Sequence, residues 1–253
     1  MIVALIVVMS ALVVYAWIAF WQPRAFLRLV ASRFPGVLYY VPTHERVVAL
    51  TIDDGPDPTS TPAILDSLQR HAARATFFTI GTRAAGHRAL LDRIRSGGHE
   101  VANHCWTDSP SVFLTPARFE RELLMVESCA GIAHEPKWFR PGFGWFSRRM
   151  LAQLAAHGYR CCLGSVYPHD TKLRSAALIS RYVRARVFPG AIIVLHDGQP
   201  DRIRTAEALD RLLPALIRRG YDVVTVSELV ARAGHRPRGA AASVSRPARA
   251  PRH

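Results

Sequence analysis

From Val47 to about Leu229 the sequence alternates short, β-rich apolar runs with longer helical patterns, and this alternation constrains the fold more than any other feature. Strand-like runs fall at 47–53, 75–81, 100–104, 137–141, 159–166, 191–197 and 221–227. Helix-like patterns lie between them, near 59–72, 83–97, 115–130, 147–157, 174–187 and 203–219. Ala75-Thr76-Phe77-Phe78-Thr79-Ile80 and Ala191-Ile192-Ile193-Val194-Leu195 are almost continuously apolar, as strands covered on both faces are. Thr59 or Ser60 before Pro62, Thr115 before Pro116, and Ser147 mark helix starts; Gly158 and Gly220 mark stops. Strands alternating with helices imply a parallel α/β sheet, closed into a barrel or left open and doubly wound. A chain of 253 residues can bury one such core, and a charged fraction of 21% against 49% hydrophobic excludes wholesale disorder.

The polar residues that could carry chemistry fall at the C-terminal ends of these runs: Asp53 and Asp54, His104, Arg140, Asp170, and His196 with Asp197. In parallel β/α folds that rim holds the active site. Asp53 and Asp54 end an apolar strand and are followed at once by a Gly-Pro turn, which can bring two neighbouring carboxylates toward one cleft. Crowded there, they repel unless a cation lies between them or one is protonated. The alternative is a helix cap or an Asx-turn. His104 and Asp108 stand four apart, a spacing that suits a divalent cation on a helical turn or tight loop, and equally a polar loop. Arg140, before a Pro-Gly turn, is placed either to hold a carboxylate base by a bidentate pair or to make a structural salt bridge. His196 is either a general acid, oriented by Asp197 or Asp170, or a core histidine satisfied by backbone.

In their order, Thr51-Ile52-Asp53-Asp54-Gly55-Pro56, Asn103-His104, Arg140-Pro141 and Leu195-His196-Asp197 resemble the first, second, third and fifth motifs of the polysaccharide deacetylase (NodB-homology) family of carbohydrate esterases. Gly98-His99-Glu100 is also in that family's style, and the resemblance runs from about Val47 to Leu229. It implies a distorted (β/α) barrel of about seven parallel strands and a metal-dependent hydrolase that removes N-acetyl groups from amino sugars of a polysaccharide or oligosaccharide. It further implies Asp53 as general base, Asp54 and His104 as metal ligands, Arg140 as the residue holding the base, and His196 as general acid. The family's second motif usually ends in another His where this chain has Asp108. A carboxylate can ligate zinc there, giving an Asp54, His104, Asp108 set whose harder donors also admit Co2+ or another divalent ion. The fourth motif is represented only by Tyr167-Pro168-His169-Asp170, which offers Asp170 as partner of His196; Tyr167, Trp145 and Trp106 are available to stack on a sugar. Two other readings stand beside this one: a small-molecule amidohydrolase of the same fold, and a non-catalytic, membrane-tethered glycan-binding member.

The flanks carry separate expectations. Residues 1–22 contain no charged side chain and are followed by Arg24, with Trp17 and Trp21 near the end of the run, so they read as an uncleaved transmembrane anchor; the competing reading, a cleaved signal peptide, lacks a basic residue before the run and a small-residue cleavage site after it. Residues 23–46 read as a juxtamembrane linker, 47–232 as the catalytic domain and 233–253 as a basic, disordered tail. The basic residues after the span argue for a cytoplasmic domain, whereas an acetylated glycan substrate argues for an extracytoplasmic one, the location we expect. Much of the net charge of +14 sits in Arg24, Arg28 and Arg33 and in Arg236, Arg238, Arg246, Arg249 and Arg252. No aromatic residue interleaves with that tail, so no nucleic-acid partner is expected. The four cysteines, 105, 129, 161 and 162, form no C-x-x-C pattern, and Cys161 and Cys162 read as small core hydrophobes.

Overall fold

The computed structural model describes residues 9–10, 21–132 and 137–234. The expected alternation is there. Strands β1 (Val37–Leu38), β2 (Val47–Asp53), β3 (Thr76–Thr79), β4 (Glu100–Asn103), β5 (Lys137–Phe139), β6 (Tyr159–Cys162), β7 (Ile192–His196) and β8 (Asp222–Val224) form one sheet. The order is β1-β6-β5-β4-β3-β2-β7, with β8 on the first residues of β2, and all the pairings between these strands are parallel. A further parallel bridge, Val166 to Ile193, ties the chain leaving β6 to β7 and draws the sheet round on itself. The result is a parallel-sheet α/β fold of the expected kind.

Nine described helices accompany the sheet: α1 (Arg24–Arg33), α2 (Ser60–Arg70), α3 (Gly81–Gly86), α4 (Arg88–Ser96), α5 (Pro116–Ala130), α6 (Arg148–Ala156), α7 (Ala176–Arg186), α8 (Ile203–Arg218) and α9 (Val226–Gly234). Alternation along β2 sorts its side chains into two layers. Val48, Leu50 and Ile52 pack in one cluster with Ile64 and Leu68 of α2 and Leu209 and Leu212 of α8. Val47 and Ala49 join Phe78, Ala102, Trp138, Cys162, Ile192 and Val224, one residue or more from each of β2 to β8, in the interior cluster.

Several local expectations change. The run at 221–227 ends as a strand at Val224 because Thr225 and Glu228 cap a helix reciprocally: the Glu228 amide donates to Thr225 Oγ1 at 3.2 Å and the Thr225 amide to Glu228 Oε2 at 3.0 Å. The single helix expected over 83–97 is two, broken at His87, whose φ of −136° is extended. Residues 23–46 hold α1 and β1, and Val30, Phe34, Val37 and Tyr39 pack with Phe139 and Cys161. Cys161 and Cys162 are buried and free.

The membrane anchor expected at 1–22 is not borne out. Among the described residues no helix is long and apolar enough to cross a membrane, which takes about 20 apolar residues. Of the expected span, all but residues 9, 10, 21 and 22 lies outside the described residues. The end of it that is described is tied to the domain. Gln22 exchanges two hydrogen bonds of 2.9 Å with the backbone of Tyr167, its carbonyl accepts from Arg186, and the Arg186 guanidinium lies 5.4 Å from the Trp21 ring centroid. The single-pass, membrane-anchored location and the membrane as partner of that helix fall with the anchor. The tail lies outside the described residues except Ala233 and Gly234, which end α9.

β2 is the strand on which the sheet turns, since it pairs with β3, β7 and β8. Leu50→Ala, at a fully buried position of β2, should therefore lower stability by about 2–5 kcal/mol in chemical denaturation.

Candidate active site

The parity that fills the interior also aims the polar rim. On β2 the interior residues are odd-numbered and end in Asp53; on β4, β5 and β7 they include Ala102, Trp138 and Ile192, whose parity continues to His104, Arg140 and His196. Asp54 alone is out of phase. Its φ of 71° is left-handed, a conformation Asp tolerates better than most residues, and it breaks the strand alternation where the second carboxylate must turn inward. Cys105 (φ 70°), Phe143 (φ 59°) and His169 (φ 56°) hold the same conformation just beyond His104 and Arg140 and just before Asp170. Such backbone outliers gather at functional rims.

Asp54 and His104 face each other, with Oδ1 and Nε2 3.2 Å apart. His104 Nδ1 is 2.7 Å from the carbonyl of Arg140, which fixes the ring with Nε2 toward the carboxylate. Burial acts against the charged form of both groups. It is outweighed in Asp54 by the hydrogen bond and charge of His104, aided by His196 and Arg83, and the carboxyl falls to about 2. In His104 the hydrogen bond to Asp54 and the charges of Asp53 and Asp54 outweigh burial and raise the pKa. A buried imidazole whose second nitrogen is tied to a carbonyl, beside an ionised carboxylate, is a donor pair that fits a divalent cation. Bonds of about 2.1 Å put neighbouring donors about 3.0–3.4 Å apart, which brackets the observed spacing.

Asp108 does not join them. Its Oδ2 lies 3.3 Å from Nη2 of Arg83, with the Asp108 side chain 50% exposed, and among the described residues no three His, Cys, Asp or Glu converge as a metal cluster. Arg83 also donates from Nη1 to the carbonyl of Asp54 at 2.6 Å.

Asp53 is separated from its neighbour by Arg140. Arg140 Nη1 reaches Asp53 Oδ1 at 2.5 Å, and both side chains are 4% exposed. The guanidinium also donates to Thr51 Oγ1 at 2.7 Å and, through Nε, to the carbonyl of Cys162 at 2.9 Å, and it lies 4.1 Å from the Phe78 ring centroid. His196 stands beside Asp53, since the two are register partners on adjacent strands. Its Nδ1 is 2.9 Å from Oδ1 of Asp170, whose Oδ2 accepts from the His196 amide at 2.8 Å. Burial would depress the ring, but Asp170 first, then Asp53 and Asp54, raise it to about 9.

The structure thus brings together Asp53, Asp54, His104, Arg140, Asp170 and His196, and leaves Asp108 apart. Asp197, the other partner considered for His196, instead accepts from the hydroxyls of Ser60 and Thr61 and fastens the start of α2 to the rim. Of the possible stacking residues, Tyr167 is edge-on to His196 at 5.5 Å, Trp145 is 51% exposed, and Trp106 packs against the helix-side cluster. Arg83, Thr51 and the Ser60–Thr61 pair were not foreseen. Thr51 could have been, since its odd parity on β2 puts it one interior step below Asp53; a lone arginine on a short helix carries no such signal.

Comparison with known proteins agrees with this geometry. A family model for polysaccharide deacetylase matches residues 40–162. A peptidoglycan-N-acetylglucosamine deacetylase of Bacillus cereus is 36% identical over 77% of this chain and 92% of its own length. A chitooligosaccharide deacetylase of Bradyrhizobium is 37% identical over 73% of this chain and 90% of its own. The structure of a family 4 acetyl xylan esterase from Clostridium thermocellum, in complex with a cobalt ion, superposes with a TM-score of 0.67 at 33% identity, covering 74% of this chain and 92% of that one. With relatives of this identity matched over nearly their whole length, the chain belongs to the polysaccharide deacetylase family of hydrolases.

Proposed function

We propose that Asp53, Asp54, His104, Arg140, Asp170 and His196 carry out the removal of N-acetyl groups from amino sugars of a polysaccharide or oligosaccharide. The observation that carries this reading is the division of two adjacent carboxylates, Asp54 set against His104 and Asp53 against Arg140. Relatives named for peptidoglycan N-acetylglucosamine and for chito-oligosaccharides both match, so N-acetylglucosamine-containing glycans are the substrate class.

Asp54 and His104 would hold the divalent cation, for which their mixed carboxylate–imidazole donors favour Zn2+, with Co2+ a close substitute. Bound there, the cation supplies Lewis acidity, lowering the pKa of water and polarising an amide carbonyl. Asp53 takes a proton from the attacking water, its carboxylate oriented by Arg140 rather than free to rotate. His196 donates a proton to the departing amine, without which the C–N bond does not break. Asp170 holds the ring through Nδ1 and leaves Nε2 to face the substrate. Base and acid sit on adjacent strands at one register position, so a single amide can reach both.

One observation favours the non-catalytic, glycan-binding alternative: Asp108 is paired with Arg83 instead of standing with Asp54 and His104. Acetate release from N-acetylated chito-oligosaccharides separates the two. Release that EDTA abolishes and Zn2+ or Co2+ restores is expected; glycan binding without release, unaffected by EDTA, would overturn the catalytic reading.

The acid assignment makes two further predictions. His196→Ala should lower kcat by about 10²–10⁴ with an unchanged circular dichroism spectrum. Because Asp170 raises the pKa of His196, Asp170→Asn should lower it and move the alkaline limb of the pH–rate profile to lower pH. An unmoved limb would remove His196 as the acid.

A further inference from the structure

Arg83 is hydrogen-bonded to both Asp54 and Asp108, and it has no part in the proposed hydrolytic machinery. From α3 its Nη1 donates to the Asp54 carbonyl at 2.6 Å while Nη2 reaches Asp108 Oδ2 at 3.3 Å. The fork has a seat. Gly198, at φ 84°, lies so close that a Cβ there would stand 2.3 Å from Arg83 Nη1 and 2.6 Å from the Asp54 carbonyl oxygen, so only a glycine leaves the guanidinium its place. The helix that carries Arg83 is itself tied to the loop between His104 and Asp108, through Gly81 N–H to the Cys105 carbonyl and Thr82 N–H to the Trp106 carbonyl, each at 3.0 Å.

We propose that Arg83 competes with the metal ion for Asp108 and thereby sets the metal affinity of the site. The inference rests on Asp54 and His104 being the metal-holding pair. With the Arg83–Asp108 pair closed, the site offers two donors. With it open, Asp108 is released to serve as a third on a loop that begins at a ligand. Arg83 is a positioning residue in this account. It acts by holding a carboxylate back. An exposed aspartate bonded to a guanidinium is a modest restraint, since ion pairs at partly exposed sites change equilibria by about fivefold or less. It is therefore suited to tuning a cation's residence rather than blocking it.

Calorimetric titration of Co2+ into chelator-stripped protein tests this on metal affinity, independently of turnover. Arg83→Gln should tighten Co2+ binding about fivefold, and Arg83→Lys, which keeps the charge but loses the fork, should tighten it less. In an Asp108→Asn background the same Arg83→Gln change should move affinity by less than about twofold, because there is no carboxylate left to release. Unchanged or weaker binding in Arg83→Gln would overturn the proposal, as would equal tightening in both backgrounds, which would be a plain charge effect. His104→Gln serves as the separate control: full Co2+ affinity in that variant would refute the metal-holding pair itself, whatever Arg83 does.

Discussion

A guanidinium buried in the barrel mouth organises this molecule. Arg140 leaves the end of β5, crosses the face of Phe78 on β3, bonds the backbone of Cys162 on β6, and reaches Thr51 and Asp53 on β2. It therefore ties together four strands that are not all neighbours in the sheet. Burying a charge is unfavourable unless it is paired and its donors are used, and here three of its nitrogen contacts go to oxygen and a fourth, from Nη2, to the Cys162 sulfur at 3.7 Å. A hydrophobic residue of similar volume could stabilise the fold as well. It could not fix the orientation of a carboxylate at the rim, which is the argument for retaining an arginine.

Everything else at the site follows from what Arg140 does to Asp53. Two consecutive carboxylates at a strand end cannot share one environment. Arg140 draws the first into the barrel axis, and the left-handed φ at Asp54 turns the second aside toward His104. The backbone carbonyl of Arg140 then fixes the His104 ring, so one residue sets the geometry of both halves. The negative charge that remains is felt across the β2–β7 pairing, where Asp53 and Asp54 add to Asp170 in raising His196.

The alternation of apolar and polar residues made much of this legible. Strand parity with chain order places Asp53, His104, Arg140 and His196 on one rim without any coordinates, and even the thin Tyr167-Pro168-His169-Asp170 segment supplies the correct partner for His196. What was not legible depends on contacts that leave no periodic trace. β1 is two residues long and exists because it pairs with β6. The Thr225–Glu228 capping box was present in the spacing but lay under an apolar run that reads as strand. The i,i+4 spacing admits Asp108 to the ligand set, whereas its side chain is paired with Arg83. The uncharged N-terminal run with Trp17, Trp21 and Arg24 at its end reads as a span, while its described end, Trp21 and Gln22, is bound to the domain.

On the proposed mechanism the two neighbouring carboxylates do different work. Bound metal and acetate release, measured on the same preparations of Asp53→Asn and Asp54→Asn, separate the two roles. Asp53→Asn should keep stoichiometric metal and lose turnover, while Asp54→Asn should lose both. Equal loss of metal in the two variants, or turnover surviving in Asp53→Asn, would contradict that mechanism.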